Sequence, residues 1–196
     1  MRNIALLIVG IIDILANIPY IRHTWSGKTK PNIASWSTWT LLNGIIVASA
    51  IAAGGALNTV VLAGSFFVGS SSILVLGIFK GTRKYTLFDA VCQAVALLGV
   101  VLWQLSSNPN IAMFFALMID IFAVFPTFRH AYLHPHEETW ATYCISGLMA
   151  IAITALATSF SFAALAIPIE SVVVNLALTG MIIVRGQKVR AHRLQG

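Results

Sequence analysis

Apolar residues run along this chain in seven stretches, roughly 3–21, 36–54, 59–79, 86–105, 110–128, 140–158 and 163–184, and every Lys and Arg falls in the gaps. A bilayer core about 30 Å thick takes about 20 apolar residues per helix, so each stretch is long enough to cross one. Lipid offers the backbone no hydrogen-bond partner, so all seven are predicted as helices. The first stretch carries Asp13 and runs into Pro19 and Arg22 without a small-residue cleavage site, so it reads as a retained span.

Composition agrees with this pattern. Apolar residues make up 58% of the 196-residue chain and charged ones 9%, with a mean hydropathy of +0.87. That leaves too little polar surface to clothe a water-soluble globule. The net charge of +6 is explained by topology. Eleven of the twelve basic residues follow the first, third, fifth and seventh spans, and only Arg2 lies on the other side. The positive-inside rule then puts the N-terminus outside a cell membrane and the C-terminus in the cytoplasm. A nucleic-acid partner is not expected. Cys92 and Cys144 both fall inside spans and read as packing residues rather than a disulfide.

The chain also repeats itself. Sliding it by 107 residues sets Ile12-Asp13-Ile14 on Ile119-Asp120-Ile121, Pro19 on Pro126 and Arg22-His23 on Arg129-His130. After a three-residue deletion, Ser35-Trp36-Ser37-Thr38-Trp39 falls on Thr139-Trp140-Ala141-Thr142-Tyr143. An odd number of spans separates the copies, so they are parallel repeats about an axis along the membrane normal. The expected architecture is an all-α integral membrane protein of seven transmembrane helices. A first three-helix bundle spans 1–84, a linker helix 85–108, and a second bundle with a basic tail 109–196.

Several residues stand out by depth. At 1.5 Å per residue, Asp13 and Asp120 each lie about 13 Å from the basic boundary, Ser70 and Asn175 about 15 Å, and Asn43 about 10 Å. An acid at such depth costs roughly 2.5–3.5 kcal/mol, which suits Asp13 and Asp120 to proton coupling or, equally, to locking the bundle by hydrogen bonds. Glu170, two residues past Pro168, measures about 22 Å from Arg185 and is placed with them as a third coupling candidate, in an outer vestibule. Asn43, Ser70 and Asn175 are the candidate substrate contacts, since amides offer donors and an acceptor together. Trp39 and Tyr143, one turn into their helices, offer rings to a solute, whereas Trp36 and Trp140 read as interfacial anchors and Trp103 as part of the aromatic belt. Pro19 and Pro126 are candidate hinges, because proline removes an intrahelical bond. Asp89 reads as structural, within reach of Arg83 or Lys84. His130, His134, His136, Glu137 and Glu138 crowd one loop, but their spacing fits no closed metal site, and no cofactor is expected.

The sequence Pro19, a basic loop, Thr29-Lys30, Ser35 or Ser37 and then Asn43 resembles the PQ-loop superfamily, which includes the SWEET sugar transporters and lysosomal amino-acid exporters. Where that family carries its signature glutamine, this chain has Tyr20 in the first copy and Thr127 in the second. The resemblance implies alternating-access transport of a sugar or similar small polar metabolite, with Asn175 and Ser70 facing the solute and Pro19 and Pro126 as gating hinges. The expected partners are the lipid bilayer and a small-molecule solute, with homo-oligomers open to such a chain. Alternatives are a vitamin or nucleoside transporter of the nicotinamide riboside type, whose flat ring the WSTW stretch could stack, and a non-transporting seven-helix binding protein. A rhodopsin is excluded by the absence of lysine from 163–184. An enzyme is not expected, as no nucleophile and base share one depth.

Overall fold

The computed structural model of the chain describes residues 2–52, 57–82, 85–105, 109–155 and 162–195. Among them it is helical without strands: α1 (Arg2–Ala16), α2 (Ile18–Trp25), α3 (Ile33–Ala52), α4 (Leu57–Lys80), α5 (Leu87–Leu105), α6 (Pro109–Leu133), a 3-10 turn η1 (Pro135–Glu137), α7 (Trp140–Ala155) and α8 (Phe162–Gln195).

Local chemistry sets these boundaries. The first predicted span is broken at Asn17, because Pro19 lacks an N–H and its ring crowds the carbonyl four residues back. The Asn17 side chain compensates by donating to the Asp13 carbonyl at 2.9 Å. Helix α2 ends before Gly27, whose φ of 75° is the left-handed conformation favoured after a helix C-terminus. Asn32 caps α3 by accepting from the Ser35 N–H at 3.3 Å. A capping box opens α5: Asp89 accepts from the Thr86 N–H at 2.7 Å, and Thr86 Oγ1 accepts from the Asp89 N–H at 3.3 Å. Asp89 is therefore structural, as expected, although Arg83 and Lys84 lie outside the described residues.

Four helical stretches are long and apolar enough to cross a membrane: Asn3–Trp25, Ala63–Lys80, Phe114–Leu133 and Leu165–Ala191. Ile33–Ala48, Leu87–Leu102 and Trp140–Ala152 are shorter apolar helices. The outward faces bear this out. On α1, Ile4, Leu7, Ile8, Ile11 and Leu15 form an exposed stripe at helical spacing, while Asp13, Ala16 and Asn17 are buried. That is the reverse of the pattern on a water-soluble helix, and it suits a lipid surround.

Packing follows one order in α1–α4 and in α6–α8, the two segments that the sequence reads as repeats. Helix α4 lies between α1–α2 and α3, and α8 lies between α6 and α7; α5 packs on α6 and α3. The repeats meet where α3 touches α6 and where α1 and α2 touch α7. Their shared core holds Tyr20, Trp36, Ile73, Val124, Tyr143 and Leu178. Trp36 is thereby corrected from an interfacial anchor to a core residue. Only 6% exposed, it sets its ring edge-on to Tyr20 at 5.2 Å, because the Tyr20 side chain reaches across from α2 to cover it. Trp140, 48% exposed, keeps the position expected of an anchor. The Trp103 side chain lies outside those described.

Candidate functional site

Two polar assemblies cross the interface between the repeats. The deeper one centres on Asp120. Trp39 of α3 donates its indole N–H to Asp120 Oδ1 at 2.6 Å, and the Glu170 carboxyl group of α8 meets that of Asp120. Glu170 Oε2 is buried with no hydrogen-bond partner.

The depth expected for Glu170 is thus corrected: it meets Asp120 instead of occupying a separate outer vestibule. The error lies in the ruler. Arg185 donates to the Tyr132 carbonyl and stacks on the Tyr132 ring at 4.1 Å, so it sits level with Tyr132, twelve residues or about 18 Å from Asp120. Helix tilt covers the remaining few ångströms.

Other predicted residues stay within their own repeats. Asp13 is buried and hydrogen-bonded to Ser65 of α4, which separates it from the Asp120 assembly. Asn43 donates to the Trp39 carbonyl at 2.8 Å. Asn175 donates to the Ser171 carbonyl at 2.8 Å, and Ser70 to the Phe67 carbonyl at 3.3 Å. All three bonds run back along their own helices, and the amide oxygens of the half-buried Asn43 and Asn175 remain as acceptors. Pro19 stands at the start of α2 and Pro126 is buried within α6, so of the two equivalent prolines only the first coincides with a break.

The second assembly lies at the basic end. Tyr20 and Tyr143, one from each repeat, both donate to Glu138 Oε2, at 3.0 and 3.1 Å. Tyr143 is thereby corrected from a solute contact to part of this closure, since its ring is 3% exposed and its hydroxyl is taken. Thr29 and Thr139 share a hydrogen bond of 2.6 Å, and His23 Nδ1 lies 3.0 Å from Thr139 Oγ1. Lys30 binds Glu137 twice, through an ion pair and through its backbone N–H to the Glu137 carbonyl at 2.9 Å. Thr142 donates across to the Ala16 carbonyl at 3.1 Å. Burial pushes the Glu138 carboxyl up to about 8, against the two phenol bonds that favour its charged form. Burial would also raise Glu137, but the bonded Lys30 ammonium outweighs it and holds that carboxyl below its ordinary value.

Sequence reasoning reads this loop only for metal ligation and misses the joint made by Tyr20, Glu138 and Thr139. A signal is present: two of only six acidic residues stand side by side immediately before α7. Among the described residues no group of three or more His, Cys, Asp or Glu is placed to hold a metal ion. Cys92 and Cys144 are free thiols.

Compared with known proteins, the chain matches no family model, no curated protein and no solved structure at a significant level.

Proposed function

We propose that the chain is a membrane transporter for a small polar solute, a sugar or similar metabolite, driven by protons carried on Asp120 and Glu170. Two three-helix bundles, α1–α4 and α6–α8, move against each other about the linker α5. The observation that carries this reading is the Trp39–Asp120–Glu170 assembly. Two half-buried acids of one repeat meet beside an indole donor from the other, so a proton gained or lost there would act directly on the joint. The identical packing order of the two repeats and the PQ-loop resemblance support a three-one-three layout. The distribution of basic residues supports a cytoplasmic basic end, which the Glu138 assembly closes in this conformation. Trp39, Asn43 and Asn175 remain as solute contacts.

The test is uptake of labelled sugars, amino acids and nucleosides into proteoliposomes with and without an inward proton gradient. One solute class should accumulate only under the gradient, and Asp120→Asn should abolish accumulation. Gradient-driven uptake that survives in Asp120→Asn removes Asp120 from the mechanism. Binding without flux in the unmodified chain would replace the transporter with a binding protein.

A further inference from the structure

A half-open cavity of about 610 Å³ lies at the basic end, beside the Lys30–Glu137 joint and away from Asp120. The end of α4 brings Lys80 to it, the end of α6 brings Arg129 and His130, and the loop before α3 brings Lys30. Two carboxylates also line it, but both are already satisfied. Asp89 accepts from the Thr86 backbone and hydroxyl at 2.7 Å each and from Asn32 at 3.3 Å, and Glu137 is held by Lys30.

The cations are not satisfied. Neither Lys80 nor Arg129 has a carboxylate partner among the described residues. The polar contact of Arg129 is a long 3.5 Å bond to Thr86 Oγ1, with its guanidinium 5.7 Å from the Phe88 ring. His130, only 8% exposed, lines the same cavity, and its Nε2 lies 3.6 Å from Glu137 Oε2 and 4.0 Å from Glu138 Oε1. A concave site with two unpaired cations is short of an anion.

We infer that this cavity binds a phosphate group, held by Lys80 and Arg129. Arginine's planar fork matches a phosphate's oxygens, and lysine adds a mobile point charge. The volume exceeds what a bare phosphate fills and falls in the range of small-molecule sites, so the phosphate carries an organic substituent. Two sources share that chemistry: the headgroup of an anionic phospholipid at the membrane surface and a free phosphorylated metabolite. Binding has a mechanical consequence, because Lys30 lines the cavity while pairing with Glu137. An anion in the cavity competes for the Lys30 ammonium and loosens the bond between the repeats, whatever solute the chain handles.

The test uses the full chain in uncharged detergent, with glycerol phosphate as the soluble probe and potassium chloride at matched ionic strength as the control. The unfolding midpoint should rise saturably with glycerol phosphate and not with chloride. Lys80→Gln with Arg129→Gln should weaken this at least about tenfold, as expected for lost charge-assisted bonds. Both side chains are exposed, so the doubly substituted chain should fold. Glu137→Gln, which removes the competitor for Lys30, should tighten binding. A second arm compares nanodiscs of pure phosphatidylcholine with nanodiscs containing phosphatidylglycerol. Stabilisation by phosphatidylglycerol that needs Lys80 and Arg129, without a glycerol phosphate response, assigns the site to a lipid headgroup. An equal response to chloride, an unchanged response in the double variant, or none to either phosphate source overturns the proposal.

Discussion

Replacing Glu138 by Gln should flatten the pH dependence of stability between about pH 5 and 8. The folded carboxyl is held near 8, against 4.5 for an ordinary glutamate. Between those values the folded chain keeps a proton that the unfolded chain has released, so the folded state binds more protons and stability falls as pH rises. Below the unfolded value both states are protonated and the burden vanishes; above about 8 it is complete. Each tenfold difference in proton affinity between the two states is worth ~1.4 kcal/mol, so the full span is on the order of 5 kcal/mol. Gln cannot ionise, and its amide oxygen can still accept from Tyr20 and Tyr143, so the packing survives. The assay is the unfolding midpoint in detergent, from pH 5 to 9, for both proteins. Their difference should widen with pH in favour of the variant. Parallel curves would mean that Glu138 is not the titrating group and that the two phenols do not enclose it as described.

Gly69 on α4 is so close to the first helix that a Cβ there would lie 2.5 Å from Asn17 Nδ2. The Asn17 amide is buried and fixed by its bond to Asp13, so Gly69→Ala should cost about 1–3 kcal/mol by overpacking; a melting midpoint equal to the parent's would contradict this. At Gly180 an added Cβ meets nothing within 4 Å, and Gly180→Ala should be neutral or gain up to about 1 kcal/mol from helix propensity. The Lys30–Glu137 pair, with side chains 44% and 18% exposed, should show a coupling below about 1 kcal/mol in a double-mutant cycle. That coupling should shrink when salt is raised, and a salt-independent value would refute a mainly ionic bond.

The helices are legible because they are written locally, in runs of apolar residues. The ends of α3 and α5 can be read from Asn32 and from Thr86 with Asp89 for the same reason. What resists reading is set across the fold. Glu170 is misplaced by a distance measured to Arg185, and only the α6–α8 contact shows that Arg185 is level with Tyr132. Trp36 has the sequence position of a surface ring, and it is α2 that covers it. The closure at the basic end joins residues more than 100 positions apart, such as Tyr20 with Glu138, and no local pattern announces a partner at that distance.

Lys30 meets Glu137 through its ammonium and through its backbone N–H at 2.9 Å, so charge and main chain fasten the loop before α3 to the turn before α7. A neutral side chain at position 30 would therefore slacken this seam without parting it, and a signal that reaches the ammonium would act by degrees.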